Sequence, residues 1–338
     1  MATFIEMPDN FNFPNTVEFC RKLESLTSDF EYVIDYGKMK NVEPFGMLLI
    51  GSTIRKMIAN NDGANFHAIN YTNNDYAAHM GFYQSIGLDY GKAPGEAKGS
   101  NTYLPITQLK IQDIREESRF SREHIVDTVE RRAHDIATVL SRENKNLKEV
   151  LTYSIREIMR NVIEHSEADS IWYAGQYWPS KDRVEIAILD EGIGVYKSLK
   201  RNRKLKIKDN GDALLLSVEP GISGKDIRLE RKRDEIYGNT GYGLYMTSRI
   251  CEDGGDFLIG SGDRILGISR IGSKLFNTAT FNGTVIRMRI KPSRIETLEK
   301  HLTRYLKEGE ERIRTHRKSE VISASQSSRL LLLNKNDD

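Results

Sequence analysis

"REIMRNVIEHS", residues 156–166, sets Glu157, Asn161 and His165 at steps of four. On a helix of 3.6 residues per turn such steps rotate by only about 40°, so the three side chains point one way. Leu151, Ile155, Ile158, Met159, Val162 and Ile163 fall on the adjoining arc and mark the buried face. A carboxylate, an amide and an imidazole therefore line the rim where a helix meets its core. A solvated flank would carry the same spacing, so the reading depends on what surrounds it.

Downstream, "AILDEGIGV" ends a strand on Asp190, with Gly192 and Gly194 following. A carboxylate at a strand mouth can accept a hydrogen bond from an exocyclic amine such as adenine N6, and glycine lets backbone approach a flat base. An ordinary Asp-Gly turn between strand and loop is the alternative. "YGNTGYGLYMTSRI" puts Gly238, Gly241 and Gly243 ahead of a helix. Free N–H groups at such a terminus, with the helix dipole, hold phosphate oxygens. The full Rossmann fingerprint is absent. "GISGKD" has neither the spacing nor the hydroxyl of a Walker A loop, although its Lys225 could still touch a γ-phosphate.

The chain has 338 residues, enough for two domains. Lys and Arg number 50 and Asp and Glu 48, a formal net charge of +2, so nothing global calls for nucleic acid or an anionic membrane surface. Two cysteines, Cys20 and Cys251, make neither a disulfide framework nor a zinc site and suit a reducing compartment. The first residues lack the basic and apolar regions of a signal peptide, and no long apolar window marks a membrane span, so a cytoplasmic location is expected. The Ser-rich end, with its apolar knot Leu330–Leu333, reads as a mobile extension.

Along the chain, "FEYVIDYG", "PFGMLLIGSTIRKMIAN", "NFHAINY" and "NNDYAAHMGFYQSIG" follow in β-α-β-α order, which predicts a small α/β domain. A charged linking helix is expected from Ile114 to about Ser141, and a second helix from near Asn146 to His165. Two strands, "SIWYAGQYW" and "RVEIAILDEG", come next, with Val184, Ile186 and Ile188 alternating. Residues 195–240 read as a long polar loop rich in Lys, Arg and Gly. Meandering strands and a charged terminal helix close the chain.

E-x-x-x-N on a helix, D-x-G-x-G ending a strand, a long loop, G-x-G opening a helix, then Gly283–Thr284 entering a strand: over about residues 145–291 this order resembles the GHKL (Bergerat-fold) ATPases. The resemblance implies an ATP-binding α/β sandwich. Asn161 would coordinate Mg²⁺ and Glu157 would polarise the attacking water or hydroxyl. Asp190 would hold adenine, helped by Thr284 through water, with Gly192 and Gly194 shaping the base pocket. Residues 195–240 would form the ATP lid, Lys225 within it, and Thr240, Gly241 and Gly243 its phosphate-binding hinge. His165 matches the ending seen in anti-sigma-factor kinases of this superfamily, where it is taken as structural. His134 in "HDIATVL" resembles the phosphoacceptor box of histidine kinases, but it lacks the usual Pro and lies too near Asn161, so an exposed helix histidine is expected.

The N-terminal "YVIDYGKMKNVEPFGMLLIGSTIRKMI" resembles STAS domains, the anti-sigma-factor-antagonist fold, over roughly residues 1–110. Glu43-Pro44-Phe45-Gly46 stands where that family carries its phosphoacceptor serine, so phosphorylation there is lost. Glu43 is expected to cap the following helix, with a fixed negative charge as the alternative. The expectation is thus an α+β chain: a STAS-like domain (1–110), a helical linker (111–144), a GHKL domain (145–295), and a C-terminal helix with tail (296–338). Three functions compete: a Mg-ATP-driven regulatory ATPase switch whose STAS-like part contacts protein partners, with a homodimer as one option; a serine/threonine kinase of the anti-sigma type acting on a separate partner; and a non-hydrolysing ATP-bound scaffold. The intact Glu157 argues against the third, the missing acceptor hydroxyls in the STAS-like loop argue against a self-contained version of the second, and the first is favoured.

Overall fold

The structure is a computed structural model describing residues 2–27, 29–100, 102–224 and 241–316. It is mixed α and β, with a three-stranded parallel sheet in the order β1 (Thr3–Glu6), β2 (Glu31–Asp35), β3 (Asn65–Ile69). An antiparallel sheet of five strands runs in the order β4-β5-β6-β8-β7. Its strands are β4 (Tyr103–Lys110), β5 (Ser170–Trp178), β6 (Arg183–Asp190), β7 (Gly255–Ser269) and β8 (Gly272–Ile290). β4 belongs to the span read as STAS-like, yet it bonds β5 at the edge of the larger sheet. Among the described residues no helix is long and apolar enough to cross a membrane.

Both faces of the larger sheet are covered. On one side Val184, Ile186 and Ile188 of β6 meet α6 (Ile125–Ser141), α7 (Lys145–His165) and the glycine-opened helix Gly243–Gly254 in a single core. On the other side Ala187 and Leu189 of β6 and Trp172 and Ala174 of β5 meet α2 (Pro44–Asn60), with α1 (Phe13–Glu24) packing nearby on β8. Every residue from Pro44 to Ile54 is buried, because α2 is clasped between the two sheets. A helix apolar all round is the sequence of such a position.

Polar groups seal this joint. Glu43 makes no capping bond to α2, contrary to expectation. Its carboxylate instead takes Arg183 at 3.3 Å and Arg289 at 2.5 Å. The carboxylate at the α2 N-terminus comes from the larger sheet: the Phe45 N–H donates to Glu185 Oε1 at 3.1 Å, and Arg289 Nε donates to Glu185 Oε2 at 2.6 Å. A fully buried charge survives because it is paired and hydrogen-bonded at once.

Other expectations shift in detail. The linking helix is two, α5 (Ile111–Ser121) and α6, broken where Arg122 turns left-handed at φ 55°. Neither Gly nor Pro marks the break. Arg131 and Arg132 reach back to Glu117 across the corner and hold it. The second helix of the first domain is likewise two short ones, α3 (Asp75–His79) and α4 (Phe82–Ser85), parted at Gly81 with φ 82°. The meandering strands are one long β7–β8 hairpin, whose register slips between Gly260 and Arg264 and so swaps which residues face each core.

Candidate functional site

Asn144 starts α7 by accepting from the Leu147 N–H at 2.9 Å, and without Gly or Pro the helix runs unbroken to His165. Leu147, Val150, Leu151, Ile155, Ile158 and Met159 seat it on the sheet. Asn161 and His165 are left half-buried at its rim. Strand β6 brings Asp190 to the same place, paired in register with Thr284 of β8.

Asp190 is 2% exposed. Burial pushes its carboxyl up to about 6, against the Gly192 N–H and the Thr284 hydroxyl and N–H that donate to it. The Gly192 contact measures 2.9 Å, and the next amide, Ile193, donates to the Ser166 carbonyl at 2.8 Å. An acid so buried, with acceptor capacity towards an open space, is suited to an uncharged donor such as an amine.

One cleft collects Asn161, His165, Asp190, Gly194, Gly241, Gly243 and Thr284. Ile158 and Val162 of α7, Ile188, Ile259 and Ile286 of the sheet, and Leu244 wall it. Ile158, Val162 and Ile188 were read from the sequence as core positions and not as cleft walls, and Ile259, Ile286 and Leu244 were not singled out, although period-2 alternation sets Ile188 beside Asp190 and Ile286 beside Thr284. Its enclosed part is about 110 Å³, below the roughly 300–1,000 Å³ of pockets that bury a whole drug-sized ligand. That is space for a ring system, with the rest of any nucleotide extending past Gly241 and Gly243.

Gly241 has φ 70°, and a Cβ there would lie 2.3 Å from the Ile222 carbonyl oxygen. A Cβ on Gly243 would lie 2.0 Å from Glu157 Oε2. Only glycine permits the first approach, against fixed backbone, and a Cβ at 243 would force the Glu157 carboxylate aside. Glu157 and Gly192 do not line the cleft. Glu157 is 7% exposed, and its Oε1 accepts from Arg156 at 2.8 Å, while Arg156 also bonds Glu130 at 3.3 Å. His134 sits on the exposed side of α6, away from the cleft residues.

Lys225, Gly238 and Thr240 lie outside the described residues. The described part of the expected lid is more than a polar loop. It holds α8 (Gly194–Lys200) and α9 (Asn210–Ser217), anchored by buried Leu199, Ala213 and Leu214. Ile222 and Ser223 reach the cleft itself. Leu199 stands alone among lysines and arginines, and Ala213 and Leu214 belong to a four-residue apolar run, Ala213–Leu216, too short to show a period.

A second cluster, Asp253, Glu296 and His301, brings ligand-type atoms within 4.8 Å of one another. Asp253 already holds Arg270 and Arg304, each at 3.0 Å, and Glu296 pairs with Arg304. Two carboxylates and two guanidiniums balance, so the cluster is an ion-pair network that calls for no cation. Cys20 and Cys251 are free and buried, with burial pushing both thiols up. Compared with known proteins, the chain matches no protein-family model and no curated protein.

Proposed function

We propose that the chain binds Mg-ATP in the cleft between α7, β6 and the glycine-opened helix, and that it works as a nucleotide-dependent regulatory ATPase switch of GHKL type with a STAS-like protein-contact part. The observation that carries this reading is the gathering of Asn161, Asp190, Gly241, Gly243 and Thr284 around one apolar-walled cleft. Isoleucine walls suit a flat heterocycle, Asp190 suits its amine, and the start of Gly243–Gly254 suits phosphate oxygens. Asn161 is the one hard-oxygen donor suggested for the metal, so Mg²⁺ would arrive with the nucleotide. Bound there, the ion would neutralise phosphate charge. Asp190 and Thr284 would orient the base and Asn161 would hold the metal, while Glu157, which adjoins Gly243 just outside the cleft lining, would take the proton of the attacking group.

A second reading, binding without turnover, is favoured by the Arg156–Glu157 pair, since one carboxylate oxygen is already engaged by a buried guanidinium and the side chain does not line the cleft. Calorimetry with ATP, with and without Mg²⁺, tests the site. Wild type should bind, and Asn161→Ala should lose the Mg-dependent share. Equal affinity in all four combinations removes the metal assignment. Turnover of γ-labelled ATP separates the two readings. Glu157→Ala should lower it by about 10²–10⁴ if Glu157 is the base. A wild type that binds ATP yet releases and transfers no phosphate is a binder.

A further inference from the structure

Just beyond Asp190, the chain is gripped from the far side of the larger sheet. Ser52 Oγ of α2 donates to Glu191 Oε1 at 2.7 Å, and Arg55 Nη2 donates to the same oxygen at 2.7 Å. Arg55 is itself fixed before it meets Glu191. Its guanidinium lies 4.3 Å over the Trp172 ring, and its Nη1 donates to the Ser85 carbonyl at 3.0 Å. An isolated pair this exposed is worth little, because ordering two long side chains offsets the attraction. A guanidinium already stacked and bonded loses little further freedom on meeting a carboxylate. The turn after β6 is therefore held at three successive residues: Glu191 by α2, Gly192 by Asp190, and Ile193 by Ser166.

We propose that Ser52 and Arg55 are positioning residues of the base pocket: by holding Glu191 they fix the turn that aims the Asp190 carboxylate, and so couple the N-terminal part to the base end of the cleft. The proposal rests on the cleft being an adenine site. By linkage, a ligand seated on Asp190 also tightens the grip of α2 on Glu191. The partner in this regulation lies in the same chain, and it contacts the turn without entering the cleft.

Two readouts on the full chain test it. In the ligand-free protein, Arg55→Ala should speed hydrogen exchange at the Gly192 and Ile193 amides about tenfold, with the amides of the α7 core unchanged. In the same variant ATP should weaken about tenfold while GTP changes little, so the preference for ATP narrows. Arg55→Lys keeps the charge without the fork and should fall between. Unchanged exchange at the two amides overturns the positioning role. Faster exchange with an unchanged ATP-to-GTP ratio overturns the coupling. If wild type binds no adenine nucleotide, the reading of the cleft falls, and exchange alone decides whether α2 fixes the turn. A variant with faster exchange throughout α7 has lost the fold generally, which also counts against a local role.

Discussion

At the scale of single residues, Asp190 carries opposing demands. Its folded value of about 6 exceeds the ordinary 3.8, so the fold favours the protonated form. That stabilising share is present below about pH 4 and is lost as pH rises through about 6, leaving a penalty of about 2–3 kcal/mol at neutral pH. Asp190→Asn removes the charge and should raise Tm at pH 8, with the gain over wild type closing as pH falls to 4. The same variant should weaken ATP about ten- to a hundredfold, because an amide can offer its NH₂ where an acceptor is needed. Melting curves across pH check the first expectation; a gain constant from pH 8 to 4 would refute it. Asp190 was legible in the sequence because a carboxylate ending an apolar strand stands out. Arg55, Ser52 and Glu191 were not, since ordinary polar residues 136 or more positions apart carry no local sign of meeting.

At the scale of elements, pattern succeeded where a segment carries a sustained apolar run, whether striped along a helix or continuous along a strand covered on both faces. Helix α7 shows this, as do β5 and β6, whose apolar runs need no tertiary information. It failed at the Arg122 break, which is held by Glu117 ion pairs rather than by a breaker residue, and in α8 and α9, whose anchors are few. The glycine-opened helix was legible from Gly241 and Gly243, but the reason for the second glycine was not. It makes room for Glu157. Gly243→Ala would drive a methyl into that carboxylate, so it should lower stability by about 1–3 kcal/mol and displace the first turn of the helix from the cleft. Thermal melting and ATP calorimetry on one preparation check this; normal affinity in the variant would show that the first turn plays no part in binding.

At the scale of the whole molecule, α2 belongs to two sheets at once. Leu48→Ala should cost about 2–5 kcal/mol and lower a single cooperative transition, seen alike in far-UV signal and in the fluorescence of Trp172, which the same core buries. Two separate transitions would show that the halves melt independently. The joint could have been suspected, because Ala187 and Leu189 of β6 are apolar where a wetted face would carry polar side chains. What no local pattern shows is that Glu43 pairs across the joint with Arg183 and Arg289. The sandwiching of α2 also limits how copies of the chain can assemble. With helices on one face of the larger sheet and α2 on the other, a second copy has no plane of that sheet to stack upon. Among the described residues, the edge strands β4 and β7 and the outward plane of the parallel sheet, where Phe4, His67 and Ile69 stand open to water, are surfaces on which a twofold, self-complementary contact could form.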